Sequence, residues 1–503
     1  FGLSNWDFVL AFGHHMTGGG VGEFEALDDP AKGIRLFVSG NLEVNCLSCH
    51  NADPRHDQSE YTMQVVFENF RWAAAATSGF AFVEGAARDM PDTFDHLMPA
   101  PLNDLKKTPP SVVYRENTFD YKERVFFDIV KEVPKDRCYF CHTVRYVEEN
   151  PTEQWTSEED IHIAAGLTCV DCHRNGIDHA MIRGYEDERE DSDNPLASEL
   201  SCEGCHSTDG NTSQAEGGRL GAPVPKHAGI PPGHFEKLSC TACHSGPKPE
   251  SGTQRVRTSR AHILGIPKVH LPEDAPPHIV SPVYAKNEQE KIYPQHLVWP
   301  AYWGIIRDGH IAPIPIETVK QVISDLSKEN EDSSEMYGSL TVDRIKDVLN
   351  LLSNVESIEG EPVYISGGNM YRVEDGNGLT SEAHEDARPY MWPLAHNVRP
   401  AVQSLGSGGC TDCHSMDASF CVGEVEVDTP FISENYATKK MYEFLEVDPG
   451  YMDSLAFFFR FRVWAKIVLA PSCGIIAAVL LLYGSRMLAA VCRRFSKTEG
   501  RAG

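Results

Sequence analysis

The residues of this chain with the most definite chemistry are cysteines in pairs, each pair closed by a histidine. Six Cys-x-x-Cys-His runs occur: Cys46, Cys49 and His50; Cys138, Cys141 and His142; Cys169, Cys172 and His173; Cys202, Cys205 and His206; Cys240, Cys243 and His244; Cys410, Cys413 and His414. Two thiols three positions apart can add to the two vinyl groups of one porphyrin, and the adjoining imidazole then reaches the iron from the same turn. The run is the attachment signature of a c-type haem, so six copies imply six covalent haems with these six histidines as proximal ligands. Twelve of the 15 cysteines are used this way, leaving Cys421, Cys473 and Cys492, so structural disulfides are not the theme.

Two other chemistries use paired cysteines. Tetrahedral zinc takes two such pairs per metal and does not need a histidine directly after each. A redox dithiol would occur once, at the start of a helix beside a parallel-sheet pattern. Neither accounts for a histidine after every pair. With these motifs the chain resembles the multihaem c-type cytochromes, over roughly residues 40 to 245 and 395 to 415. That resemblance implies haem attachment outside the cytoplasm, closely stacked haems and electron transfer along them. It also implies that histidines just outside the motifs complete the irons. In such cytochromes, sequences like His162-Ile-Ala-Ala-Gly-Leu-Thr-Cys169 commonly do so.

Candidate distal ligands are therefore histidines close to a motif, which a neighbouring haem can share. They are His14 and His15 in the Gly-rich opening, His162, His179, His234, His262 and His396. His270, His278, His296 and His310, in a Pro- and His-rich stretch, are weaker candidates.

Around these residues the expected fold is mostly α with extensive irregular loops, a small α+β insertion and one C-terminal transmembrane helix. In the four-haem stretch there is too little chain per haem for a side-chain core, so the macrocycles would form the interior. Residues 1–137 are read as an N-terminal region with the first haem. Residues 138–310 form a four-haem core with a wrapping segment, 311–390 the insertion, 391–450 the sixth-haem region, and 451–503 the anchor and tail. A helix is predicted from Glu60 to Thr77, with Phe67, Phe70 and Trp72 packing on the first haem. Within the insertion, Val319, Val322, Ile323 and Leu326, and again Ile345, Val348, Leu349 and Leu352, fall on helical faces. Pro362 to Val373 reads as a hairpin turning at Gly367-Gly368. The acidic run Glu186 to Asp193 lacks EF-hand spacing and reads as a solvated loop, and Cys421 as a packed thiol.

From Ile467 to Ser485 no side chain is charged, which is long enough to cross a bilayer. Phe457, Phe458, Phe459, Phe461 and Trp464, interspersed with Arg460, Arg462 and Lys466, make an interfacial girdle ahead of it. Arg486, Arg493, Arg494, Lys497 and Arg501 follow, so the tail is expected in the cytoplasm and the haem domain on the periplasmic side. Phe1 reads as what remains after leader removal or trimming.

A net charge of −28 argues against nucleic acid as a partner. The expected partners are the bilayer, a membrane redox subunit or quinol-oxidising partner, and a soluble cytochrome. Fifteen histidines lie outside the motifs, enough to give every iron two imidazoles. That supply favours an electron carrier. The alternative is a reductase of a small nitrogen or sulfur oxyanion at one five-coordinate haem, resembling octahaem tetrathionate or pentahaem nitrite reductases. No Cys-x-x-Cys-Lys variant is present to match an active-site haem of that kind.

Overall fold

The computed structural model describes residues 46–87, 110–142, 144–146, 160–174, 181–184, 196–207, 219–246, 252–258, 278–307, 309–314, 318–319, 321–323, 340–374, 378–429 and 438–499. Its motif helices are single turns: Cys46–His50, Cys169–Cys172, Cys202–His206, Cys240–His244 and Thr411–His414, with Asp136–His142 a little longer. Isolated turns of this length do not hold themselves. Here the residue ahead of the motif helps. Ser201 and Ser239 accept from the backbone N–H of Gly204 and Ala242, and Thr168 and Asp171 form a reciprocal capping box.

The helix expected from Glu60 to Thr77 is two helices, Gln58–Val66 and Ala73–Thr77. The chain breaks at Glu68, whose φ is +62°. Asn69, fully buried, explains why the break is stable: its amide donates to Gln64 Oε1 and Gly85 O, and its carbonyl oxygen accepts from Ala87 N. A buried amide satisfied in this way fixes a loop that a helix could not accommodate.

The expectation of a mostly helical fold is corrected by the sheets. One five-stranded antiparallel sheet runs in the order Tyr390–Pro393, Ile292–Val298, His278–Lys286, Gln254–Thr258, Val144–Tyr146. A second runs Gly378–Ala383, Asn369–Glu374, Pro362–Ser366, Ala301–Arg307, His310–Pro313. The physical reason lies in residue type. The stretch dense in Pro and His is also dense in Val, Ile, Tyr and Trp, which pack well on a pleated surface. Three of the weaker ligand candidates, His278, His296 and His310, are strand residues.

The second sheet packs on the helix Val342–Leu352, whose Ile345, Val348, Leu349 and Leu352 are buried with Trp303, Ile314 and Tyr364. Its hairpin turns at Gly367 and Gly368, both at positive φ. The first sheet has a different core. Val280, Val283, Tyr284 and Leu297 bury Ala242 of the fifth motif together with Phe420, Met441 and Leu445 near the sixth.

The chain closes in one helix, Pro449–Glu499, of 51 residues. At 1.5 Å per residue it is about 76 Å long, more than twice what a hydrocarbon core of about 30 Å requires. It is long and apolar enough to cross a membrane, and its apolar window is not buried against the rest of the chain. Pro471 lies inside it.

Candidate haem-attachment sites

Four of the six motif histidines are held in one way. His50 Nδ1 lies 2.8 Å from Val130 O, His173 Nδ1 2.8 Å from Ile182 O and His206 Nδ1 2.9 Å from Pro223 O. His244 Nδ1 makes a longer contact, 3.4 Å, to Arg399 O. A carbonyl only accepts, so each of these nitrogens must carry the proton, and the lone pair is left on Nε2. An imidazole fixed in that tautomer is a metal ligand prepared by its surroundings.

Another imidazole stands near the rings of His173, His206, His244 and His414. His162 and His206 have ring centres 6.0 Å apart, His173 and His396 5.9 Å, His227 and His244 6.4 Å, and His234 and His414 6.0 Å. An imidazole nitrogen binds a first-row metal at about 2 Å and sits about 1 Å from its ring centre, so two rings on opposite sides of one metal have centres about 6 Å apart. The residues present therefore fit an iron held between each pair. Among the described residues no group of three or more His, Cys, Asp or Glu could hold a bare metal ion. A haem iron needs only two protein ligands because the porphyrin supplies the rest.

Three of the sequence candidates, His162, His234 and His396, face a motif histidine in this way, and none faces the motif that follows it in sequence. His162, ahead of Cys169, faces His206; His234, ahead of Cys240, faces His414; His396, ahead of Cys410, faces His173. His14, His15, His179 and His262 lie outside the described residues. His227 was not singled out from the sequence. It stands seven residues before His234, ahead of the helix that carries it, and that proximity to a better candidate was the signal. Its φ of +38° is an unusual backbone for a residue with a side chain, and it faces the motif of its own segment.

The first sheet positions these loops. Ser239 N donates to Ile292 O, so the strand Ile292–Val298 fixes both the fifth motif and the helix Pro232–Lys237 that carries His234. Further along the same edge of that strand, Tyr390–Pro393 pairs with it and Leu394 N donates to Pro294 O, which delivers His396. The strap beyond is bound to the fifth motif. Gly246 N donates to His396 O, Ser245 Oγ to Ala395 O, and Arg399 Nη2 to Cys243 O.

Successive motifs are neighbours. Arg137, one residue ahead of Cys138, donates to Asn51 O beside the first motif. A hydrogen bond with Cys138 pulls the Cys169 thiol down to about 7. Burial, then the nearby Cys205, pushes Cys172 up to about 11. Burial pulls His244 down, with His227, Arg399 and His206 close enough to add to it. Burial likewise raises Cys413, with Cys243 the next contributor. The six sites thus adjoin one another in chain order. The last abuts the long C-terminal helix, where the rings of His414 and Phe459 stack.

No family model matches the chain, and no curated protein or solved structure is similar to it.

Proposed function

We propose that this chain is a membrane-anchored electron-transfer protein that carries six covalent c-type haems outside the cytoplasm. It would pass electrons between a quinol-linked membrane partner and a second redox protein. The observation that carries the reading is a recurrence. Four Cys-x-x-Cys-His histidines each face an imidazole from elsewhere in the chain, at centre separations from 5.9 to 6.4 Å. A metal held between the rings would account for the recurrence.

When bound, each haem supplies a one-electron iron couple. The chain's part is to hold and tune it. His50, His142, His173, His206, His244 and His414 are the proximal ligands, and the twelve motif cysteines the covalent tethers. His162, His227, His234 and His396 would be the second protein ligands at four of the six irons. An imidazole on each side would keep water and small oxyanions off those four, which suits a carrier better than a reductase. Contact between successive motifs provides a path in chain order that ends beside the anchor. Arg486, Arg493 and Arg494 after the apolar stretch favour a cytoplasmic tail, which leaves the haem sites on the far face of the membrane.

The test is low-temperature EPR of the oxidised protein purified from membranes, with optical spectra before and after nitrite, hydroxylamine or cyanide. Covalent haem with low-spin signals throughout and no response to these ligands is expected. A chain without covalent haem would overturn the reading, and a high-spin signal shifted by one of the ligands would replace it with the reductase.

A further inference from the structure

Asp160 lies beside two of the facing imidazoles. Its side chain is 7% exposed, and Oδ1 accepts from His162 Nδ1 at 3.0 Å and from His162 N at 2.9 Å. Oδ2 accepts from Val398 N at 2.8 Å, two residues beyond His396, and Ile161 N returns a bond to Val398 O at 2.9 Å. One buried carboxylate thus orients the ring opposite His206 and clamps the strap that carries the ring opposite His173. The left-handed Asn397, at φ +59°, makes the turn between clamp and ring. The motif histidines described above donate to neutral carbonyls, whereas His162 donates to a charged group.

We propose that Asp160 is a positioning residue for both facing imidazoles and that its charge holds down the reduction potential of the His162–His206 centre. This deepens the electron-carrier reading and rests on it. A carboxylate accepting the Nδ1 proton makes the imidazole a stronger donor, and a stronger donor beside a fixed negative charge favours the ferric over the ferrous state. The His173–His396 centre is affected less, because there the carboxylate acts through the backbone at Val398 and the field alone.

The test is Asp160→Asn in the full-length protein, by EPR-monitored redox titration of all centres. Asparagine can still cap the helix and accept from His162 through its one oxygen, but it has no charge, and its amide NH2 cannot accept from Val398 N. One low-spin centre is expected to rise in potential, a second to rise by less, and the remaining four to stay where they are. Six unchanged potentials, or six that move together, would overturn the proposal while leaving six covalent haems in place. Absence of covalent haem from the wild type would instead overturn the reading beneath it. If Asp160→Asn does not accumulate, Asp160→Ser serves, since serine caps a helix and is too short to reach the imidazole. The same two upward shifts, one larger than the other, are expected there, and unchanged potentials would again overturn the proposal.

Discussion

The ring of Phe459 lies flat on that of His414, with centres 4.4 Å apart and planes 9° from parallel. His414 closes the last motif, and Phe459 belongs to the anchor helix, eight residues before its uncharged stretch. At 1.5 Å per residue the sixth site is about 12 Å along the helix from the start of that stretch. Phe457 and Phe458 beside it are exposed, while Phe459 is half-buried against the sixth motif. The anchor and the final site are therefore one packed unit. Phe459→Ala should alter the EPR signal of one low-spin centre and leave five alone, and should cost about 1 kcal/mol of stacking energy. Phe459→Tyr, which keeps the stack, should leave all six as they are. A change at several centres would mean that the ring supports the fold generally.

His227→Ala removes an imidazole facing His244. On the proposed reading one of six centres becomes high-spin and binds cyanide, with no change in the amount of covalent haem. An all-low-spin spectrum in that variant would mean that a different residue faces His244, and titration with cyanide followed optically distinguishes the two.

The motifs and the long apolar helix could be read from the chain because each is local: a pattern within five residues, and an uncharged run. Three facing imidazoles could be read as candidates for the same reason, since they lie close to a motif. Which motif each one faces could not. His396 and His173 are brought together by pairing of Tyr390–Pro393 with Ile292–Val298 and by the clamp at Asp160, contacts between segments far apart in sequence. The sheets were misread on composition. In Ala301-Tyr-Trp-Gly-Ile-Ile-Arg307 the run from Ala301 to Ile305 is buried continuously, so the polar alternation that marks a half-exposed strand is missing. The single helix expected over Glu60 to Thr77 failed on one residue, Asn69, whose buried amide network no helix periodicity reveals.

Asp57 caps the helix Gln58–Val66, accepting from Ser59 N and Glu60 N. The hydrogen bond from the Ser59 side chain, with those backbone bonds, holds its carboxyl below the ordinary range. The folded-state pKa is depressed, so the stabilisation is present above the unfolded value of about 3.9 and is lost as pH falls through the folded value. Asp57→Ala should cost about 1 kcal/mol at neutral pH, read as faster amide exchange across 58–66. Asp57→Asn should cost less and show no acid dependence of its own. Equal acid sensitivity of wild type and Asp57→Asn would assign the effect elsewhere.

Leu349 and Leu297 are both fully buried, but in different cores. Truncation of either to alanine should cost about 2–5 kcal/mol. Leu349 lies with Trp303, Val348 and Tyr364, a cluster without any motif residue. Leu297 shares its cluster with Ala242 of the fifth motif, and Cys413 packs against that cluster. Leu297→Ala should therefore change the spectra of centres involving the fifth and sixth motifs, and Leu349→Ala should lower stability with the spectra intact. Spectral change in both would mean that the second sheet also supports the haem sites.

The anchor can be separated from the site it packs on. A chain ending at Lys466 keeps Phe459 and its stack on His414 but loses the uncharged run from Ile467. It should retain six covalent haems and the sixth-site EPR signal, and move from the membrane fraction to the soluble one. A chain ending at Leu455 loses the stack as well, and should show the altered signal expected of Phe459→Ala. If the longer truncation product stays in the membrane after alkaline washing, attachment depends on the aromatic girdle or on another part of the chain. If it becomes soluble but loses the sixth-site signal, the helix beyond Lys466 supports the site through more than Phe459, and anchor and electron path are then inseparable.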